Sequence, residues 1–141
     1  KDYIRMMWMI LQAEEAEDWV IATGKTTSVR DFVKMSFEEV GIVLDFVGEG
    51  VEEKAFIKSC NNPDYQLEIG KEVLSVDSKY FRPTEVDLLI GDPTKANTKL
   101  GWKPDYDLSS LVKEMMQSDV KLMQKDQYLK DGGYETLNFF E

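Results

Sequence analysis

The chain of 141 residues contains no histidine and a single cysteine, Cys60. The lack of histidine removes the commonest general base and the commonest metal ligand, so no Ser-His relay can operate. One cysteine cannot form a disulfide within the chain, which fits a reducing compartment. We therefore expect a cytoplasmic protein without a metal site.

The chain has fewer basic than acidic residues: 17 Lys and Arg compared with 27 Asp and Glu, which gives a net charge of −10. This balance argues against a nucleic-acid partner, which needs a basic surface. An anionic ligand would need a local group of cations. No apolar run approaches the ~20 residues that span a bilayer, so no membrane partner is expected. The length suits one domain, residues 1–141.

The motifs of several enzyme classes are missing. Gly48-Glu49-Gly50 leads into two further glutamates and is too acidic to hold a pyrophosphate, and no tyrosine has a lysine four residues later. Glu52 and Glu53 are adjacent, and such pairs are more often surface charge than an acid and base. We therefore expect no catalytic and no cofactor-binding residue in this chain.

The spacing of apolar residues predicts alternating helices and strands, and so a small mixed α/β domain. Serine at 28 and the Asp92-Pro93 pair are typical of helix starts, with proline expected at the first helical position. The predicted elements are a helix around Ile4–Leu11, a strand at Trp19–Thr23, a helix from Ser28 to Gly41, a strand at Ile42–Val47, one or two short strands within 48–71, a strand at Val73–Val76, a short strand or turn at Leu88–Ile90, a helix from Asp92 to Gly101 and a helix from Asp107.

Two of these helices have apolar faces that predict their packing. The first is apolar beyond one stripe, which predicts packing on more than one side; we expect the side with Met6, Trp8 and Ile10 to be exposed, because its partner belongs to a longer protein. In the last helix one face carries the following residues: Leu108, Leu111, Val112, Met115 and Leu122.

Arg82 is the candidate ligand-binding residue. A guanidinium can bind two phosphate oxygens at once, and Pro83 restricts the backbone of Arg82 towards extended geometry. In a turn, Glu85 would lie on the same side as Arg82 and could accept a hydrogen bond from a sugar hydroxyl. From the residues alone, a surface Arg–Glu pair worth under about 1 kcal/mol remains the more common outcome.

The string YFRPTEVDLLIGDPTKANTKLGWKP resembles the C-terminal part of the GDP-mannose 4,6-dehydratase family, within the extended short-chain dehydrogenase/reductase superfamily. KDYIRMMWMILQ, DWVIATGKTTSVRDFV and GEGVEEKAF are similar to other segments of that family in the same order. The resemblance runs from Lys1 to about Met123. It implies a substrate-binding lobe, a fragment of a longer enzyme, without the N-terminal Rossmann half that holds NADP and the catalytic residues.

By this resemblance the parent converts GDP-D-mannose to GDP-4-dehydro-6-deoxy-D-mannose, on the route to GDP-fucose and other deoxyhexoses, and is a homo-oligomer. Arg82 is then expected to contact the diphosphate of GDP-mannose and Glu85 a ribose hydroxyl, while Trp102 and Pro104 are structural. Two alternatives remain open: a related nucleotide-sugar reductase or epimerase, and a non-catalytic nucleotide-sugar-binding lobe.

Overall fold

The computed structural model describes residues 1–64, 66–82, 84 and 88–136. This part of the chain forms a small mixed α/β fold, as the sequence predicts, with a three-stranded sheet and four α-helices. In chain order the elements are α1 (Asp2–Leu11), α2 (Val29–Glu39), β1 (Ile42–Val47), a 3₁₀ helix (Gly50–Glu52), β2 (Lys54–Cys60), β3 (Glu72–Ser75), α3 (Thr94–Leu100) and α4 (Leu108–Asp131).

Polar side chains lie at the starts of α2 and α3. The Ser28 hydroxyl accepts a hydrogen bond from the Asp31 amide, which confirms the predicted start of α2. The Asp92 carboxylate accepts from the Thr94 amide at 2.9 Å, but α3 begins at Thr94, so Pro93 lies at the cap position and not inside the helix. Gly101 ends α3 in the left-handed conformation, with a φ of 67°, which glycine adopts without strain.

The sheet has the order β1-β2-β3 with both neighbouring pairs antiparallel. The prediction of a strand at Ile42–Val47 is confirmed to the residue, and β2 and β3 confirm the short strands expected after it. Ile42 and Ile57 are 3% and 1% exposed, and each is followed by an exposed residue, as expected for side chains on alternate faces of a strand. Helix α2 packs against both β1 and α4. We call β1–β3, α2 and α4 the sheet region.

A second apolar cluster lies around Trp102. The three fully buried members are Met6 of α1, Ala96 of α3 and Trp102 itself, with Trp19 and Ile21 partly buried against them. The Trp102 indole donates a hydrogen bond to the backbone oxygen of Asp2 at 3.2 Å. The structural role expected of Trp102 is therefore confirmed. We call α1, residues 19–22, α3 and Trp102 the α1–α3 region.

The strand predicted at Trp19–Thr23 and the short strand or turn predicted at Leu88–Ile90 are both absent from the described part of the chain. Residues 19–23 and 88–90 belong to no ladder there. A strand needs a hydrogen-bonded neighbour as well as a suitable side-chain pattern, and the apolar run predicted only the pattern. The predicted strand at Val73–Val76 is shorter at its end, because β3 stops at Ser75.

The faces of α1 and α4 also differ from expectation. Met6 is fully buried and Ile10 is half-buried, so the exposed side of α1 is the one with Ile4, Met7, Trp8 and Leu11, which are 53–80% exposed. In α4, Val112 is buried, whereas Leu111 and Met115 are 42% and 43% exposed. Helix α1 is apolar around much of its circumference, so the spacing of its apolar residues alone could not select the buried side.

Candidate functional site

Arg82 lies at the end of a turn that follows β3. The Asp77 side chain accepts a hydrogen bond from the Lys79 amide at 2.9 Å, and the Tyr80 amide donates to the Asp77 carbonyl at 3.0 Å. These bonds form a compact turn of the kind that aspartate favours. Arg82 follows this turn, and its side chain is exposed. Pro83 and Glu85 lie outside the described residues, so the predicted Arg82–Glu85 arrangement stays a prediction.

The side chains next to Arg82 were not identified by sequence reasoning. Tyr80 is 74% exposed and Phe81 is 46% exposed, and the ammonium of Lys79 lies 5.4 Å from the centre of the Tyr80 ring. Two cations and two accessible rings therefore occupy four consecutive residues of an otherwise acidic chain. The signal that could have found them was the sequence Lys-Tyr-Phe-Arg, in which Lys79 directly precedes the quoted string that begins at Tyr80. This group, Lys79–Arg82, is called the Arg82 turn.

The chemistry of the Arg82 turn suits an anion that carries an aromatic ring. Guanidinium and ammonium groups form charge-assisted hydrogen bonds with phosphate oxygens. Exposed tyrosine and phenylalanine rings can stack on a base. The cations and rings of the turn are exposed together, an arrangement that suits binding.

A 680 Å³ groove between the start of α1, residues 23–27 and residues 104–111 is the second candidate. The ammonium of Lys1 lies in it and donates to the Tyr106 hydroxyl and to the Glu114 carboxylate, each at 2.9 Å. The Tyr106 hydrogen bond and then the Glu114 carboxylate raise the pKa of Lys1 above its ordinary value. The ammonium of Lys1, one of the two lysines that line this groove, therefore already has an acidic partner.

Carboxylates around the groove make it a poor site for an anion. Asp2 accepts hydrogen bonds from the amides of Asp105 and Tyr106, at 2.9 and 3.0 Å, and Arg5 pairs with Asp105. The Asp107 carboxylate accepts a hydrogen bond from the Ser110 amide. This hydrogen bond is the main cause that lowers the pKa of Asp107, so Asp107 is ionised at neutral pH. This network fastens α1 to the segment before α4, which makes it structural. Sequence reasoning did not identify the groove, although Pro104 lines it.

Neither a metal site nor a membrane span is found in the described residues. No group of three or more Cys, Asp or Glu side chains there is arranged to hold a metal ion. None of the described helices has both the length and the apolar character that crossing a membrane requires.

The family model described as GDP-mannose 4,6 dehydratase matches residues 1–115. A GDP-mannose 4,6-dehydratase of Vibrio cholerae serotype O1 is 47% identical over 135 residues, which are 95% of this chain and 36% of that protein. The GDP-mannose 4,6 dehydratase of Homo sapiens is 47% identical over 123 residues, 87% of this chain and 31% of that protein. The GDP-mannose 4,6 dehydratase 2 of Caenorhabditis elegans is 45% identical over 126 residues, 89% of this chain and 30% of that protein.

The chain thus spans about a third of the length of the curated relatives it matches. The family model covers well over half of the chain, and the identities extend across most of it. The strings quoted in the sequence analysis lie within the matched range. The chain therefore belongs to the GDP-mannose 4,6-dehydratase family.

Proposed function

We propose that this chain is the substrate-binding part of a GDP-mannose 4,6-dehydratase, residues 1–141 being the C-terminal nucleotide-sugar domain of a longer enzyme. The observation that carries the proposal is the 47% identity over 135 of its residues to a relative that bears this name. The parent is a hydro-lyase: it removes one water from GDP-D-mannose and leaves GDP-4-dehydro-6-deoxy-D-mannose. That product is the precursor of deoxyhexoses such as GDP-fucose.

In this proposal the Arg82 turn holds the nucleotide end of the substrate. Arg82 binds the diphosphate through paired hydrogen bonds and Lys79 adds a second positive charge. Tyr80 and Phe81 offer rings to the guanine base. Glu85 accepts from a ribose hydroxyl. The exposure of all four residues of the turn supports this assignment.

The cofactor of the proposed parent is NADP, which supplies hydride acceptance and return. The described residues do not fit a dinucleotide. Gly48 and Gly50 have positive φ values of 87° and 59°, but they stand among Glu49, Glu52 and Glu53, which repel a pyrophosphate. We therefore assign NADP and the catalytic groups to the remainder of the parent, and we expect the 141-residue chain alone to be inactive.

The two alternatives are separated by substrate and by gene structure. Full-length protein supplied with GDP-mannose and no reductant should form the 4-keto product if it is the dehydratase, whereas a reductase or epimerase should not. Sequencing the gene upstream of the codon for Lys1 tests the second alternative, a non-catalytic nucleotide-sugar-binding lobe. A non-catalytic lobe predicts no coding sequence there for a cofactor-binding half.

The site assignment is tested by calorimetric titration of the full-length enzyme with GDP. Arg82→Ala removes charge-assisted hydrogen bonds worth roughly 1.5–3 kcal/mol, so binding should weaken by about 10- to 150-fold. Arg82→Lys should restore part of the affinity, because an ammonium cannot make the paired contact. Glu85→Ala should cost less, because water can replace a hydroxyl contact near the rim.

The control for these titrations is Arg30→Ala, which removes an exposed arginine that pairs with Glu53 in the sheet region. It should leave GDP affinity unchanged, and NADP affinity should hold in all variants. Equal GDP affinity for wild type and Arg82→Ala would show that Arg82 is an ordinary surface charge.

A further inference from the structure

The Arg82 turn is held mainly by hydrogen bonds. All four of its side chains, those of Lys79, Tyr80, Phe81 and Arg82, are exposed. Burial of apolar surface, which fixes many loops to the body of a protein, is therefore small in this segment. The conformation in which the turn presents its cations and rings depends largely on the hydrogen bonds within it and just before it.

Asp77 makes two of these hydrogen bonds. Its side-chain oxygen accepts from the Lys79 amide at 2.9 Å, and its carbonyl oxygen accepts from the Tyr80 amide at 3.0 Å. The next bond runs from the Phe81 amide to the Ser78 carbonyl, at 3.3 Å. An aspartate that accepts from the amide two residues later stabilises a turn. This first bond depends on the side chain at position 77, whereas the other two join backbone atoms and survive most substitutions.

Asp77 also lies where the chain leaves the sheet region. Strand β3 ends at Ser75, and the Val76 amide still donates to the Glu53 carbonyl at 3.3 Å. Val76 is half-buried, whereas Asp77 is exposed. The sheet region thus holds the backbone up to residue 76, and from residue 77 the hydrogen bonds of Asp77 set the direction in which the chain continues.

We propose that Asp77 is a positioning residue for substrate binding: its carboxylate holds the Arg82 turn so that the guanidinium faces the diphosphate of GDP-mannose. This inference rests on the proposed function, which assigns the nucleotide end of the substrate to the turn. A loop that already has its binding conformation loses less conformational freedom when the ligand binds, so its apparent affinity is higher. Asp77 acts through the turn and not by contact, because a carboxylate repels a diphosphate.

The negative charge of Asp77 distinguishes positioning from a simple electrostatic effect. On charge alone, Asp77→Ala and Asp77→Asn should both tighten GDP binding, because each removes a repulsive charge. Positioning predicts that the two variants differ. Asp77→Ala loses the acceptor for the Lys79 amide and binds GDP more weakly, whereas Asp77→Asn keeps a side-chain acceptor and binds at least as tightly as wild type.

Calorimetric titration of the full-length enzyme with GDP tests the proposal. We expect Asp77→Ala to weaken binding by about 3- to 10-fold, the scale of one lost hydrogen bond. In turnover, the KM for GDP-mannose should rise by a similar factor while kcat stays unchanged, because the nucleotide end is bound equally in the substrate and the transition state. Ser78→Ala is the matched control: this neighbouring exposed residue can be changed with both Asp77 bonds in place, and GDP affinity should equal that of wild type.

A double-mutant cycle shows whether Asp77 acts through Arg82. The loss caused by Asp77→Ala should shrink in the Arg82→Ala background, because the turn then has no guanidinium to position. An undiminished loss would overturn the inference, because Asp77 would then act independently of Arg82. Unchanged NADP affinity in each variant shows that a loss of GDP binding does not come from unfolding.

The same titrations separate this inference from the proposed function. Weakened binding in Arg82→Ala, with wild-type or tighter binding in Asp77→Ala, overturns the positioning role and leaves the site assignment. Unchanged affinity in both variants overturns the site assignment, and the inference fails with it. If Asp77→Asn weakens binding as much as Asp77→Ala does, the lost charge and not the lost acceptor is responsible, and this also overturns positioning.

Discussion

The sheet region and the α1–α3 region differ in how many of their hydrogen-bonding and packing partners lie among the described residues. In the sheet region each strand finds its hydrogen-bonded neighbour within 35 residues, and α2 lies between β1 and α4. In the α1–α3 region a small buried cluster has an exposed apolar helix face on one side and an extended segment without a ladder on another. Local pairing thus completes the hydrogen bonding of the first region, while the second keeps an exposed apolar face and an extended segment outside any ladder among the described residues.

The largest effect should come from the centre of the α1–α3 region. Met6 is fully buried, so Met6→Ala should lower the free energy of unfolding by about 2–5 kcal/mol. Its neighbour Met7 is 53% exposed and is the matched control: Met7→Ala should stay within about 0.5 kcal/mol. Urea unfolding measures both. Equal effects would mean that this region has no stable core in the isolated chain.

A smaller effect is expected in the sheet region, where Ile57 is 1% exposed. Ile57→Val removes one methylene from a packed site and should cost about 0.5–1.5 kcal/mol in urea unfolding. Val47→Thr, at a position that is 55% exposed, should change stability by less. If Ile57→Val were neutral, the sheet region would be packed no better than the outward face of α1.

The start of α2 offers a test of local stabilisation within the sheet region. Ser28→Ala removes the hydroxyl that accepts from the Asp31 amide at 3.0 Å and should cost about 1 kcal/mol. Ser28→Asp keeps an acceptor at the cap and should retain most of the stability. A Ser28→Ala variant as stable as wild type in urea would show that packing of α2 on β1 and α4 makes the cap dispensable.

The smallest effect concerns the acid sensitivity of the ion pairs between Glu17 and two lysines of α3. Lys95 and then Lys99 donate to Glu17 and lower the pKa of its carboxyl below the ordinary 4.5. Because the pKa of Glu17 is lower in the folded state than in the unfolded chain, the ion pairs stabilise the fold at any pH above the ordinary pKa. This contribution is lost as the pH falls through the folded-state pKa. Glu17→Gln should therefore be less stable than wild type at neutral pH.

The same comparison repeated at falling pH should show the difference shrinking as the pH passes through the lowered pKa of Glu17, because wild-type Glu17 is then protonated too. Glu15→Gln is the control, since none of the ion pairs in the described residues involves Glu15. A stability difference for Glu17→Gln that does not vary with pH would exclude an ionic contribution.

The sequence predicted the sheet region better than it predicted the α1–α3 region. Strand β1 and the caps of α2 and α3 depend on local patterns and were predictable, apart from the one-residue shift at Pro93. The strand expected at 19–23 depends on a neighbour, and the buried side of α1 depends on which apolar side meets Trp102. The spacing of apolar residues along the sequence specifies neither the neighbour of a strand nor the buried side of a helix. For the site, the sequence singled out Arg82 but not the rings beside it, and Glu85 lies outside the described residues.

The graded exposure of the tryptophans gives the protein its own optical reporters. Trp102 is 1% exposed, Trp19 is half-buried beneath the ammonium of Lys95, and Trp8 is 62% exposed. Their fluorescence should divide accordingly: iodide in solution can quench Trp8, while Trp102 is shielded until the fold opens. A body that covers the outward side of α1 would shift the emission of Trp8 to shorter wavelength and leave Trp102 unchanged, so association and unfolding can be followed separately without any added dye.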